Sequence, residues 1–489
     1  MRIAIPMFVL LSSAVVSAQP TPDRPSMTLR AEQAVAPLRR EIDSESPDLA
    51  TRLDGTLTLD DCIEIALERN IPLAIARQSR EAAQVQADGA IGEFLPEIQL
   101  SRGFTRIERE AGAREYIDNA AAVIVQRLPF GTLIEAGLRL DDSSADVEER
   151  AGVPAVVVTQ PLLRNAGWTA GTGALQDRRY SARVRDAALR SQTLAVVFNV
   201  TSAYLDLERR RQLVEVNERA VVRDQELLAF SQAKLEAQLA TQRDVLSAEI
   251  ILAQDRGRLV NAQASYQGAL DNLTNILGLR VTRDLEIEPL EMAVDSVALD
   301  EEAWVSKALR DNPLIEQAKL ECERADLTKR LAGNGRLPQL DVSVSYDQLR
   351  VPVSNDPTER AWSGQVAMSY PLLNKQLGSD YTAARLSYEQ SRRTVVDTER
   401  QVVLSVRDAV RNLQRGLERI EILRKNIQGA QAKVEYAKVN FQLGRASNLD
   451  ITDAQKDLLD AETDHVNELV VYRVELARLE QLLGGSIQN

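Results

Sequence analysis

The chain carries one structural unit twice. Ala66-Leu67-Glu68-Arg69-Asn70-Ile71-Pro72-Leu73 recurs as Ala308-Leu309-Arg310-Asp311-Asn312-Pro313-Leu314, and Leu95-Pro96-Glu97-Ile98 recurs as Leu337-Pro338-Gln339-Leu340, both at an offset of 242. Gln160-Pro161-Leu162-Leu163 returns as Tyr370-Pro371-Leu372-Leu373. Asp244-Val245-Leu246-Ser247-Ala248-Glu249 returns as Asp450-Ile451-Thr452-Asp453-Ala454-Gln455, and Leu277-Gly278 as Leu483-Gly484. Five anchors in one order argue for duplication, with a period far longer than that of a solenoid.

Each half reads short helix, helix, strands, long helix, long helix. The first helix starts at Thr58 or Asp60, both good caps, and ends near Asn70 because Pro72 disfavours helix in the residue before it. A second helix is predicted over about 73–92. Its counterparts in the second half are about 299–311 and 314–331, the latter stopped by Gly333-Asn334-Gly335. The period then changes: Leu340-Asp341-Val342-Ser343-Val344-Ser345-Tyr346 alternates as a strand does, and 362–370 answers it across a polar turn. The first half holds up to four strands, at 97–109, 120–128, 132–140 and 154–160, with Pro129-Phe130-Gly131 as the turn between the middle pair. No proline follows from Ala174 to Ala237, a helix of ~95 Å if continuous. Val200, Leu207, Val214, Val221, Leu228 and Leu235 recur every seven residues, which wraps a helix left-handedly around its neighbours. The long helices pair through short turns as antiparallel hairpins.

These readings divide the chain into a signal segment at 1–18, an extended Pro/Ser/Asp/Arg-rich segment at 19–56, a first unit at 57–278, a linker at 279–298 and a second unit at 299–489. In the first unit strands fill about 97–161 and long helices about 174–277; in the second the spans are about 339–370 and 379–483. Met1-Arg2-Ile3, an apolar run and Val16-Ser17-Ala18 form the secretory signal, so the mature chain is exported. Aromatics are only 4% of the residues, which suits long helices packed on each other. With 59 Lys+Arg against 72 Asp+Glu, the formal charge of −13 speaks against nucleic-acid binding. Cys62 and Cys322 lie on predicted helices in different halves, and whether they pair is left open. One histidine and two cysteines do not build a zinc site, and P-loop and G-x-S-x-G motifs are lacking. The chain is therefore expected to be no enzyme and to use no cofactor.

No segment beyond the signal has the ~18 consecutive apolar residues of a spanning helix. Membrane insertion must then use strands, and lipid admits only helices and closed barrels. Two to six strands cannot close alone, since about eight is the practical minimum. Several copies must pool their strands into one barrel, with the helical hairpins around the same axis: mainly α, with a membrane β portion.

The duplicated Ala-Leu-x-x-Asn segments, Leu-Pro strand openings, Pro-Leu-Leu strand exits, Asp-x-x-x-Ala-(Glu/Gln) helix starts and Leu-Gly helix ends resemble, over roughly residues 57–485, the TolC-like outer-membrane efflux protein family. The resemblance implies a homotrimeric tube, with a shared β-barrel in outer-membrane lipid and a periplasmic α-barrel girdled by the short helices. It implies a periplasmic adaptor protein and an inner-membrane pump as partners, the pump supplying the energy for efflux or type I secretion. The family usually has two strands per repeat. The extra pair at 120–140 either widens the barrel or lies outside it, with a slight preference for extra strands.

By the same resemblance, Asp450 and Asp453 face the pore at the periplasmic tip and form carboxylate rings attractive to cations. Acids near a helix start also favour the dipole and cap the turn, so a purely local role stands beside that one. Arg243, Asp244, Gly444 and Arg445 occupy the tips, where the family meets its adaptor; the family's tethering arginine lies one position from Arg445. Solvated surface charge is the alternative for Arg243 and Asp244. His465 lies in the stripe Leu458, His465, Leu469, Tyr472, Leu476, Leu479, Leu483 and reads as a packed histidine. Trp168 and Trp362 suit membrane-interface anchors, Trp304 a core position. The competing reading of the whole chain is an exported coiled-coil scaffold without a pore. The transported substrate, the pump class and the resting state of the tip are not encoded legibly.

Overall fold

The computed structural model describes residues 56–108, 114–143, 153–238, 241–279, 285–289, 300–349, 359–372, 374–443 and 445–485. The signal and extended segments, most of the linker and Gly444 lie outside them. The first half runs α1 (Leu59–Arg69), α2 (Ile71–Gly89), β1 (Glu97–Glu108), β2 (Arg114–Arg127), β3 (Leu133–Ser143), β4 (Val153–Pro161), α3 (Gly173–Glu236) and α4 (Gln242–Ile276). The second runs α5 (Glu301–Asp311), α6 (Pro313–Gly335), β5 (Gln339–Leu349), β6 (Glu359–Ser369), α7 (Lys375–Gln442) and α8 (Asn448–Leu482). Among the described residues no helix is long and apolar enough to cross a membrane.

The repeated motifs meet in space as one joint, built twice. Asn70 links α1 to α2: its Oδ1 accepts the Leu73 N–H at 3.1 Å, and its Nδ2 donates to the Ile276 carbonyl at 3.0 Å. Asn312 accepts from Leu314 N–H at 2.9 Å and donates to the Leu482 carbonyl at 2.9 Å. Each asparagine thus caps one helix start and holds the frayed carbonyls of a long helix end. The Leu-Gly pairs close the other side. Gly278 and Gly484 sit at φ +72° and +78°, and a Cβ there would lie 2.7 Å from the Arg69 carbonyl oxygen or 2.6 Å from that of Asp311. Only glycine supplies both the left-handed turn and the close approach.

Around these joints the short helices pack on the long ones. Ala308 and Ile315 enter a buried cluster with Val406, Val410, Leu413, Leu479 and Leu483, and Trp304 packs against it in the core role expected of it. Arg324 binds Asp177 through two bonds of 2.6 and 3.0 Å, fixing α6 on α3. α6 continues through Gly333-Asn334-Gly335, where a stop was expected. The Asn334 side chain clasps the loop after β4, accepting from Asn165 N–H at 2.7 Å and donating to the Leu163 carbonyl. That long-range clasp outweighs the local helix-breaking tendency of the glycines. Cys62 is buried, Cys322 half-buried, and both are free thiols.

All six strands form one antiparallel sheet in the order β1 to β6, and β4 pairs with β5 across the two halves. Even-numbered positions share one face. A single rung across every strand reads Ile98, Ile124, Ala136, Val156, Tyr346, Trp362. This face is uncovered: Ile98 is 70% exposed, Trp362 73% and Val366 69%. The opposite face is concave, with Gln99, Ser101, Val123, Glu135 and Val157 around a hollow of about 290 Å³, and continues as Ser343, Ser345, Ser363 and Gln365. An apolar convex face without a protein cover and a more polar concave face is the pattern of a barrel wall between lipid and water.

Candidate functional site

The two helical hairpins end in tips built by the same local chemistry. At the first, Asp244 Oδ2 accepts the Thr241 N–H at 2.9 Å and its hydroxyl at 2.7 Å. At the second, Asp450 Oδ2 accepts the Ser447 N–H at 2.7 Å and its hydroxyl at 2.8 Å. These are capping boxes with aspartate as the third helical residue, so the sequence Ser/Thr-x-x-Asp carries the turn by itself. Hydrogen bonds from Thr241, side chain first, hold the Asp244 carboxyl below its usual range; those from Ser447, backbone first, do the same for Asp450.

Both tip carboxylates are therefore charged and have one oxygen engaged in a cap. Asp450 remains exposed, as does Asp453 one turn along. Asp453 lies close enough to Lys433 to stabilise its ammonium, which is paired with Asp457. Arg243 and Arg445 are exposed; the Arg445 N–H closes the end of α7 on the Asn440 carbonyl at 2.8 Å. Gly444 lies outside the described residues.

Two residues that sequence reasoning passed over tie the tips together. Asn448 is buried, and its Nδ2 donates to the Asp244 carbonyl of the other tip at 2.8 Å. Lys234 donates to the Phe441 carbonyl at 2.5 Å and stands 3.9 Å over the Phe441 ring and 5.1 Å from that of Phe230, which packs against Phe441. In the duplication Asn448 aligns with Gln242, so nothing local marks it; its partner is 204 residues away.

Farther up, the contact of α3 with α4 and α8 buries polar groups among its apolar residues. Asp224 and Asp255 face each other, both buried, with Arg258 2.8 Å from Asp255. Burial first, then the hydrogen bond to the Asp255 carboxyl, pushes Asp224 up to about 7. Arg223 approaches Glu462 at 3.8 Å, and a hollow of about 190 Å³ opens beside Leu227, Phe230, Phe441 and Gln455. His465 is half-buried, and burial, then the Arg424 charge, lower its pKa. Among the described residues no group of acids, histidines or cysteines could hold a metal ion.

Comparison with known proteins matches residues 62–279 and 304–485 to the outer membrane efflux protein family model. The chain is 23% identical over 433 residues to outer membrane protein TolC of Vibrio cholerae serotype O1, covering 84% of this chain and 87% of that one. It is 22% identical over 309 residues to the probable efflux pump outer membrane protein TtgC of Pseudomonas putida, covering 61% and 62%. The fold superposes on the outer-membrane channel OprN with a TM-score of 0.68 at 18% identity, covering 88% of this chain and 91% of that one.

Proposed function

This chain belongs to the outer membrane efflux protein family and is an outer-membrane efflux channel with a long periplasmic helical part; we propose that three copies close it into one passive duct. The observation that carries this is the open flank. Among the described residues β1 and β6 have no outer neighbour in the sheet, and lipid does not tolerate a bare strand edge. The outer helices match it: α4 exposes Leu246, Ile250 and Val260, and α7 exposes Leu404, Ile422 and Tyr436. A neighbouring copy covers strand edge and helix flank together. Residues 57–278 and 299–489 are read as the two repeats, joined by 279–298.

The chain works as the outer-membrane component of a multi-component pump. In our reading a periplasmic adaptor meets the tips, with Arg243, Asp244 and Arg445 among its contacts, and an inner-membrane pump supplies energy and most of the selectivity. Asp450 and Asp453 from three copies form stacked carboxylate rings at the narrow end, favouring cations. Because Asp450 also caps α8, Asp453→Asn is the cleaner probe. In planar bilayers the protein is expected to conduct with cation preference, and Asp453→Asn to weaken that preference severalfold while Asp450→Ala plus Asp453→Ala abolishes most of it. A silent bilayer would favour the poreless scaffold; unchanged selectivity in both variants would remove the aspartates from the pore.

A further inference from the structure

We infer that the hairpin β2–β3 is part of the membrane wall and that the closed barrel holds eighteen strands, three copies of six. This rests on the trimeric duct proposed above and sets the width and lipid contact of its outer mouth.

The register leaves no gap for another arrangement. β2 pairs with β1 from Glu97–Val125 to Glu108–Arg114, and β3 pairs with β4 from Leu133–Thr159 to Arg139–Val153. The hairpin is thus inserted between β1 and β4. A flap lying in water would carry polar residues on its uncovered face. Over its middle rungs this one presents Ala122, Ile124, Ile134, Ala136 and Leu138 on the convex side, level with Leu100, Ile98, Val156 and Val158. Ile124 is 48% exposed and Leu138 52%. Of the polar positions on that face, Gln126 and Gln160 sit at the helical end of the sheet, where Gln126 donates to the Phe94 carbonyl and Gln160 binds the Thr132 hydroxyl, while Arg102 stands level with Ala120 and the Asp118–Asp142 pair lies one rung beyond, toward the far end of the strands.

The turn of the hairpin is also built into the base. Gly167 N–H donates to the Phe130 carbonyl at 3.2 Å, and the Phe130 ring meets Trp168 edge-on with centroids 5.5 Å apart. A Cβ on Gly171 would stand 2.1 Å from the Pro129 carbonyl oxygen, so the turn nests on the loop that leads into α3. Both rings are 56% exposed, as aromatic side chains at a lipid–water boundary are. Six strands per copy leave β1 and β6 running oppositely, so neighbouring copies join antiparallel. Since barrel diameter grows roughly linearly with strand number, the mouth is about half again as wide as one of twelve strands. Size selection then belongs to the tip rather than the exit.

The test is electron cryo-microscopy of the full protein in lipid nanodiscs, with spin labels as a second readout. Three copies with eighteen strands are expected. Three copies with twelve strands, β2–β3 lying off the wall, overturn the inference and leave the duct standing; a copy number other than three overturns both. Labels at Ala122→Cys and Ala136→Cys, with Cys62 and Cys322 replaced, are expected to show oxygen-over-nickel accessibility within about twofold of a label at Val366→Cys. Water-like accessibility at both hairpin sites, with Val366→Cys still in lipid, overturns the inference.

Discussion

The two ends of the helical hairpins are made of the same helices but filled differently. At the root, where α5 and α6 press on α7 and α8, the interior is Val402, Val406, Val410, Leu413, Leu479 and Leu483, and the α5–α6 joint and the end of α8 are held by an asparagine clamp and a glycine turn. Toward the tip, an apolar cluster with Leu227, Val434, Phe441, Ile451 and Leu458 is interrupted by buried Asp224, Ser231, Asp255, Asn448, Thr452 and Gln455, beside an unfilled hollow. Close-packed apolar contacts have one good arrangement, whereas buried polar groups that only partly satisfy each other have several of similar energy. Root and tip therefore divide rigidity from adjustability. In the duct proposed above, that division would let the tip rearrange while the root holds its shape.

The contrast is broken most sharply by truncation. Leu413→Ala at the root should cost about 2–5 kcal/mol and lower the apparent Tm of the detergent-solubilised protein. Ile451→Ala, buried near the tip, should cost less because the hollow it lines lets its surroundings relax. A larger loss at the tip would contradict the division. Next comes Asn312→Ala, which strands the Leu482 carbonyl and the Leu314 N–H and should cost about 1–3 kcal/mol, read in the same melt.

Between pH 5 and 8 a pH effect should be concentrated in the tip half. Asp224 binds a proton more tightly folded than unfolded, so its contribution is complete below about pH 4 and is lost as pH rises through about 7. Amides of α3 and α4 near Asp224 and Asp255 should lose roughly tenfold or more in exchange protection between pH 5 and 8, after correction for intrinsic rates. The neighbouring Arg223 and Arg258 limit the loss, and Asp224→Asn should flatten it. The smallest effect belongs to Asn448→Ala. It frees the Asp244 carbonyl and should destabilise the tip by about 1 kcal/mol, visible as faster exchange around 241–246 without a shift in Tm. A drop in global Tm would show the tip to be as cooperative as the root.

Much of this was legible beforehand. Alternation at 340–346 marked β5, the proline-free heptads marked α3, and Thr58 and Asp450 read as capping residues; the structure adds Thr241 and Ser447, whose partners lie only three residues away. The duplication showed that Asn70 and Leu277-Gly278 belong to one pattern, but not that they touch. Asn334 overrode a local stop signal by gripping residues about 170 positions away. Asn448 and Lys234 gave no signal at all, since their roles depend on carbonyls of other helices.

Sequence alone determined the class of object: amphipathic strands with no spanning helix, long heptad helices, and a unit used twice, all set by short-range periodicity and turn chemistry. Tertiary structure decided where the extra hairpin goes, which carbonyls the asparagines hold, and that Asp224 meets Asp255. Those are matters of register and helix rotation. They arise only when segments some thirty to two hundred residues apart are packed together, and no local pattern encodes which face will meet which.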